Sequence, residues 1–149
     1  MIQLLSIADP HSFCQGIIFL DLFPVLRDPI AFETLLTHLL HHITSETIPK
    51  SVSRKVDVVV GLDARGFLLG PPLALRLGAA FAPVRKQGKL PGKCVSAIYE
   101  KEYGNVRYAL CNLITEADTN NQDVFEMQID SIQKGQTVLI VDDLIATGM

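Results

Sequence analysis

Three short segments of the chain are dominated by apolar residues, at positions 56–62, 79–86 and 136–141. Each has the length of a β-strand, and the unbroken apolar runs in the first and third are typical of strands covered on both faces of a parallel sheet. Segments with apolar residues at helical spacing lie before and between them. Strands that alternate with helices predict an α/β fold with a mainly parallel sheet flanked by helices.

Capping residues predict where two of the helices begin and end. Apolar residues spaced three and four positions apart between 32 and 43 predict a helix with one buried face. Asp28 can cap the N-terminus of this helix, and Pro29 suits its first position. A second helix is predicted to start at residue 67 and to end at Gly78.

Three further segments have weaker patterns. Residues 123–135 predict a short amphipathic helix that ends at Gly135. Residues 16–26 are predicted to be a short strand or an extended segment, and residues 95–104 a strand of a hairpin arm. No internal repeat interrupts this order, so residues 1–149 are predicted to form a single domain.

Composition narrows the class of protein. The chain is 48% hydrophobic and 19% charged, which is typical of a globular protein. Its net charge of −3 gives no broad basic surface, and no apolar run reaches transmembrane length, so neither a nucleic acid nor a membrane is an expected partner. The 3 cysteines lack metal-ligand spacing and are odd in number, which indicates a reducing, cytoplasmic compartment.

The residues that could bind a ligand or take part in catalysis follow the three predicted strands. In open parallel sheets, ligands bind beyond the carboxyl ends of the strands, so these residues are expected to share one site. They are Asp63, Ala64, Arg65 and Gly66 after the first strand, Arg85, Lys86 and Lys89 after the second, and Asp142, Asp143, Ala146, Thr147 and Gly148 after the third.

Each of these clusters has more than one interpretation. Small residues at 146–148 allow backbone N–H groups to approach a phosphate, although the lysine of a Walker A loop is absent. Asp142 and Asp143 suit either Mg²⁺ or the two hydroxyls of a ribose, and the cations suit a pyrophosphate. Singly, each cluster is more typical of an ordinary turn or solvated loop than of a ligand site. Together, at successive strand ends, they favour a phosphorylated ligand.

The motif "VLIVDDLIATG" resembles the phosphoribosyl-pyrophosphate (PRPP) motif of the type I phosphoribosyltransferases. The segments "GLDARGFLLGPPLALRLG", "PVRKQGKLPG", "YEKEYG" and "DVFEMQ" narrow the resemblance to the adenine phosphoribosyltransferases within that family. It covers most of residues 16–104 and 123–148. The resemblance implies a Rossmann-like type I phosphoribosyltransferase fold, and the transfer of the phosphoribosyl group from PRPP to adenine, giving AMP and pyrophosphate in purine salvage.

The resemblance also implies roles for individual residues. Residues 63–66, with Arg85, Lys86 and Lys89, would contact pyrophosphate, and a cis peptide bond is expected between Asp63 and Ala64. Asp142 and Asp143 would bind the ribose hydroxyls, and residues 146–148 would begin the 5′-phosphate loop. Mg²⁺ would be bound mainly through PRPP, without direct protein ligands.

The same resemblance implies which residues contact adenine and which one acts as the general acid/base. Ile18 and Leu20 would line the adenine pocket. Glu102 would be the general acid/base at the purine, and Tyr103 part of a closing flap. The family commonly forms homodimers, so a homodimer is expected here.

The chain departs from the family at residues 1–15, at residues 106–122, and after Gly148, where the phosphate loop is cut short. One hypothesis explains all three as translation through unspliced introns. Val106 to Tyr108 can be encoded with a splice-donor-like GTACGT and Gln122 with the acceptor CAG, and removal of the insert leaves "EKEYGNDVFEMQ". The alternative is a genuine loop and a truncated clone. Either way we expect a poorly stable chain with little or no activity.

Two other functions remain open. Another purine phosphoribosyltransferase, specific for hypoxanthine or xanthine, would share the PRPP motif, although "EYG" after "GKLPG" argues against it. A non-catalytic regulator that binds PRPP would carry an added partner or DNA-binding module, and none is visible.

Overall fold

The computed structural model of the chain describes residues 21–100, 106–110 and 122–143. Contacts between residues divide the chain into two units, residues 1–39 and residues 40–149. The prediction of a single domain is not decided by this division and stays a prediction. None of the described helices is long and apolar enough to cross a membrane.

The N-terminal unit is helical where it is described. Helix α1 is Phe23–Arg27 and helix α2 is Pro29–His42. As predicted, Asp28 caps α2, since its Oδ1 accepts hydrogen bonds from the backbone N–H groups of Ile30 (2.9 Å) and Ala31 (3.2 Å). The prediction of extended structure over 16–26 is wrong for residues 23–26, because Asp21 Oδ1 accepts the N–H of Phe23 at 2.9 Å and starts a helix there.

The remaining elements belong to the second unit. A π-helical turn, Ile43–Thr47, and the short helix α3, Ile48–Lys50, come first. Then follow β1 (Val58–Leu62), α4 (Gly66–Leu77), β2 (Ala80–Lys86), β3 (Cys94–Glu100), β4 (Val106–Leu110), β5 (Gln122–Gln128) and β6 (Val138–Val141).

The described strands form one mixed sheet in the order β4-β3-β5-β2-β1-β6. Strand β1 lies in the middle of the parallel part and pairs with β2 on one side and β6 on the other. The pairs β2–β5, β3–β4 and β3–β5 are antiparallel. The predicted α/β fold is confirmed; β2-β1-β6 form the parallel part of the sheet, and β4-β3-β5 extend it with antiparallel strands.

Helix α4 covers the parallel part of the sheet. It packs on β1, β2 and β6, and Gly78, with a φ of 64°, ends it as predicted. A Cβ at Gly70 would lie 2.5 Å from Cε2 of Phe81, so this glycine allows the helix to approach the sheet closely. On the other face of the sheet, Val58 and Ala82 are fully buried and form the centre of an apolar core.

The predicted helix at 123–135 is wrong. Residues Gln122–Gln128 form β5, which pairs with β3 over its full length and, near its middle, with the end of β2. The alternation of buried Val124 and Glu126 with less buried Phe125 and Met127 is the two-residue period of a strand. Pairing on both sides outweighs the weak helical spacing of these few apolar residues.

Strand β6 was predicted correctly as a strand, but it is less buried than its apolar sequence suggests. Val138 is 37% exposed and Ile140 is 65% exposed. Within the described part of the chain, β6 pairs only with β1 and therefore lies at an edge of the sheet. Residues 106–110, inside the segment that departs from the family pattern, pair with β3 as β4.

Candidate functional site

The carboxyl ends of the three parallel strands lie at one edge of the sheet. Leu62 of β1 pairs in register with Val84 of β2, and Gly61 pairs with Val141 of β6. The residues that follow these pairs therefore emerge side by side. This edge brings together nine of the residues predicted from the sequence: Asp63, Ala64, Arg65, Gly66, Arg85, Lys86, Lys89, Asp142 and Asp143.

The turn after β1 leads directly into α4. The peptide bond between Asp63 and Ala64 is cis, as the sequence led us to expect. Gly66 is the first residue of α4, and a Cβ there would lie only 2.5 Å from the carbonyl oxygen of Val141. Glycine at this position thus allows the N-terminus of α4 to contact the end of β6.

Arg65 connects this turn to the end of β6. Its Nε lies 2.9 Å from Oδ2 of Asp143; the Arg65 side chain is partly buried and that of Asp143 largely buried. A guanidinium and a carboxylate in such a partly buried pair fix each other's orientation more firmly than an exposed pair does.

Arg85, at the end of β2, is held from three sides. Its Nε donates to Oδ2 of Asp63 at 3.2 Å, and its Nη1 donates to the carbonyl oxygen of Lys89 at 3.2 Å. Its guanidinium carbon lies 5.9 Å from the centre of the Phe67 ring, within the range of a cation–π contact. The arginine is therefore held in a defined position before any ligand binds.

Lys86 is placed differently from its neighbour. Successive residues of a strand point to opposite faces, so Lys86 lies on the face opposite Arg85. Its side chain is exposed. Of the two adjacent cations predicted to meet pyrophosphate, only Arg85 lies on the face that carries α4.

Sequence reasoning missed Glu126. Its side chain is only 5% exposed on β5, and its Oε1 accepts the backbone N–H groups of Lys89 (3.2 Å) and Leu90 (3.0 Å). The signal in the sequence that could have revealed it is an acidic residue at a buried position of a strand whose side chains alternate between two faces. The predicted helix at this segment hid that alternation.

Asp142 and Asp143 have unlike surroundings although they are adjacent. The backbone N–H of Asp143 donates to Oδ1 of Asp142 at 2.9 Å. Burial raises the pKa of the Asp142 carboxyl above its usual range, and the neighbouring Asp143 raises it further, while the Asp143 N–H and Arg65 oppose the shift. The negative charge of Asp142 is thus disfavoured by its surroundings.

The remaining predicted site residues lie outside the described part of the chain. They are Ile18, Leu20, Glu102, Tyr103, Ala146, Thr147 and Gly148. Their assigned roles stay predictions.

Chemically, the described edge suits a polyanion that carries hydroxyl groups. Arg65, Arg85 and Lys89 supply charge-assisted donors, and the N-terminus of α4 adds its dipole. The two aspartates supply acceptors for hydroxyls. Within the described residues, no group of three or more His, Cys, Asp or Glu side chains could hold a metal ion.

Comparisons with known proteins agree with this chemistry. The family model described as "Phosphoribosyl transferase domain" matches residues 31–149. The chain is 51% identical over 134 residues to the adenine phosphoribosyltransferase of Yarrowia lipolytica, covering 90% of this chain and 62% of that protein. It is 45% identical over 139 residues to adenine phosphoribosyltransferase 1 of Saccharomyces cerevisiae, covering 93% of this chain and 63% of that protein. The chain therefore spans somewhat less than two thirds of the length of these curated relatives.

A solved structure shows the same likeness. The chain resembles the crystal structure of the adenine phosphoribosyltransferase from Saccharomyces cerevisiae complexed with D-2,5-dideoxy-2,5-imino-altritol 1,6-bisphosphate and adenine, with a TM-score of 0.68 and 46% sequence identity. The match covers 89% of this chain and 64% of that chain.

Proposed function

The chain belongs to the phosphoribosyl transferase family, and on this premise we propose that it is an adenine phosphoribosyltransferase of purine salvage. The reaction would transfer the 5-phosphoribosyl group of PRPP to adenine, giving AMP and pyrophosphate. The N-glycosidic bond to adenine forms at the ribose carbon as the bond to pyrophosphate breaks.

One observation carries the proposal: three separately predicted clusters meet at one edge. Arg65 and Asp143 come from the ends of different strands and contact each other at 2.9 Å. Asp63 and Arg85 likewise contact each other across β1 and β2 at 3.2 Å. A phosphorylated sugar needs cations and hydroxyl acceptors within a few ångströms of each other, which this edge supplies.

In this proposal, Arg85 and Lys89 bind the departing pyrophosphate together with the turn at 63–66. Bond breaking leaves negative charge on pyrophosphate and positive charge on the ribose ring. Cations held in place before the reaction stabilise the first of these charges without reorganising. Asp142 and Asp143 accept hydrogen bonds from the ribose hydroxyls and orient the sugar.

Mg²⁺ is part of the proposal, bound mainly through PRPP. The described residues fit this assignment, because the Asp143 carboxylate pairs with Arg65 and Oδ1 of Asp142 accepts the N–H of Asp143, which leaves the ion to the substrate phosphates and water that Mg²⁺ commonly takes. Such an ion would neutralise charge on the pyrophosphate group, with no direct protein ligand.

The roles proposed for the residues around adenine rest on the sequence resemblance and on the adenine phosphoribosyltransferase relatives. Ile18 and Leu20 would contact adenine, Glu102 would exchange a proton with the purine, and Tyr103 would close over the ligand. A cytoplasmic location and a homodimer belong to the same proposal.

The deciding experiment titrates the 149-residue protein with PRPP and Mg²⁺ by calorimetry and then adds adenine or hypoxanthine. We expect PRPP to bind, and adenine to bind the PRPP complex in preference to hypoxanthine. AMP and pyrophosphate are then assayed with radiolabelled adenine.

The added bases and the turnover assay distinguish the alternatives. Tighter binding of hypoxanthine than of adenine would indicate that hypoxanthine is the substrate. Binding of PRPP without binding of any base would favour a regulator. Absence of PRPP binding would contradict the proposal. Turnover at an ordinary enzymatic rate would contradict the expectation that this chain has little or no activity.

A further inference from the structure

A loop after β2, at residues 87–93, carries Lys89 and lies against β5. Its backbone is attached to that strand at several points. The N–H of Gln87 donates to the carbonyl oxygen of Val124 at 3.0 Å. Nε2 of Gln128 donates to the carbonyl oxygen of Pro91, also at 3.0 Å.

The central attachment is made by a buried carboxylate. Oε1 of Glu126 accepts two adjacent backbone N–H groups, from Lys89 at 3.2 Å and Leu90 at 3.0 Å. Glu126 is only 5% exposed. Two backbone donors converging on one carboxylate oxygen form a charge-assisted arrangement that is stronger than a neutral one.

The peptide group between Lys89 and Leu90 is held at both ends. Its N–H donates to Glu126, while its carbonyl oxygen accepts the Nη1 of Arg85 at 3.2 Å. A carboxylate at one end and a guanidinium at the other polarise the peptide in the same direction, so each hydrogen bond strengthens the other. Arg85 in turn donates to Asp63. A continuous series of contacts thus runs from β5 to the turn after β1.

We propose that Glu126 is a positioning residue for the phosphate-binding edge. It holds the 87–93 loop so that Lys89 and Arg85 face the pyrophosphate group of the ligand, and it does so through the Lys89–Leu90 peptide. The inference rests on the proposed function, because it assigns Glu126 to the same anion site. Direct contact with the ligand is unfavourable, since a carboxylate repels pyrophosphate.

An ordinary structural role for Glu126 would have different consequences. A residue that only satisfies loop N–H groups would lower the stability of the protein when removed but leave the affinity of the folded protein for pyrophosphate unchanged. A positioning residue would alter that affinity, and a variant that keeps an acceptor oxygen would restore it in part.

The test uses three variants of the 149-residue protein. Glu126→Gln keeps an acceptor at the same position, and Glu126→Leu removes it while keeping most of the volume. Val124→Ala is the matched control, because Val124 is a buried residue of the same strand, 7% exposed, and its loss removes packing but no hydrogen-bond acceptor.

The first measurement is amide hydrogen exchange at Lys89 and Leu90 without ligand. In Glu126→Leu, exchange at these two amides should be about 10- to 100-fold faster than in wild type, since each loses a hydrogen bond to a charged group. Glu126→Gln should show an intermediate rate, because a neutral acceptor supplies roughly half the strength of a charged one. Equal exchange at Lys89 and Leu90 in Glu126→Leu and Val124→Ala would overturn the inference.

The second measurement is the affinity for inorganic pyrophosphate with Mg²⁺, by calorimetry under conditions where all variants are folded. Glu126→Leu should weaken binding about tenfold and Glu126→Gln only about threefold, because a neutral acceptor supplies roughly half the strength of a charged one. Val124→Ala should bind as wild type does. Unchanged affinity in Glu126→Leu would overturn the inference even if exchange were faster.

Failure of the proposed function gives a different result. If wild type bound neither pyrophosphate nor PRPP, the phosphoribosyltransferase site itself would be contradicted, and with it the ligand role of Glu126. The exchange comparison would then show whether Glu126 still fixes the loop.

Discussion

Nε of Arg65 lies 2.9 Å from Oδ2 of Asp143, and this ion pair joins the start of α4 to the end of β6. The two residues are far apart in sequence, and in the proposed site one contacts pyrophosphate and the other ribose. The pair therefore links the two halves of the ligand site.

A double-mutant cycle measures this link. We expect Arg65→Ala and Asp143→Ala each to destabilise the protein, and the double variant to be more stable than the sum of the single effects implies, by about 0.5–3 kcal/mol, as for residues in direct contact. The free energy of unfolding in urea gives the four values. Additive effects would mean that the pair contributes nothing to the fold.

Arg85→Lys tests the geometry of the second cation. Lysine keeps the charge, but all its N–H groups are on one nitrogen, so it cannot span Asp63 and the Lys89 carbonyl as Nε and Nη1 of arginine do. We expect about a tenfold weaker affinity for PRPP, with little loss of stability. The same exchange at Arg76, in the last turn of α4, serves as the control. Equal affinities for wild type and Arg85→Lys would show that charge alone suffices.

Gly66→Ala tests the close contact between α4 and β6. A Cβ at Gly66 would lie 2.5 Å from the backbone oxygen of Val141, which has no rotamer through which to move away. We expect a loss of about 1–3 kcal/mol in the free energy of unfolding, as for other overpacked sites, measured in urea.

Gly70→Ala provides a comparison on the same helix. There the added Cβ would meet the Phe81 ring, at 2.5 Å from Cε2. Phe81→Leu should therefore relieve Gly70→Ala but not Gly66→Ala. Rescue of both by Phe81→Leu would contradict a backbone clash at Gly66.

Asp142→Asn tests the raised pKa of that carboxyl. Burial disfavours its charged form, so the folded protein binds a proton more tightly there than the unfolded chain does. The unfavourable charge is present above the folded pKa and disappears as the pH falls below the unfolded pKa. Asp142→Asn should thus unfold at a higher temperature than wild type at neutral pH, and the difference should shrink on acidification.

The same variant should bind PRPP less tightly, because an amide is a weaker acceptor for ribose hydroxyls than a carboxylate. Asp130→Asn, at an exposed turn, is the control for both measurements. An Asp142→Asn variant that is less stable than wild type at neutral pH, with the deficit lost on acidification, would show instead that Asp142 is stabilised as an anion.

The parallel half of the fold and its site edge were predictable from the sequence. Continuous apolar runs identified β1 and β6, and parallel strands necessarily bring their carboxyl ends to the same edge. Asp63, Arg85 and Asp142 were found in this way. The individual ion pairs were not, because three aspartates and two arginines at one edge allow several pairings that only side-chain packing decides.

Strand β5 and Glu126 were not predicted. The short apolar set around Val124 and Met127 fits a helix and a strand almost equally well, and its neighbours β3 and β2 decide between them. The bonds from Glu126 to the Lys89 and Leu90 N–H groups join residues more than thirty positions apart. No local pattern in the sequence records such contacts.

The register that pairs Gly61 with Val141 determines where the side chains of Asp142 and Asp143 lie. A shift of β6 along β1 by a single residue would move its side chains by about 3.3 Å and turn each to the opposite face. Asp143 would then occupy the place of Asp142, and Arg65 would lose its carboxylate partner. Deleting one residue from within β6 would therefore scramble the site while leaving every charged side chain in the sequence.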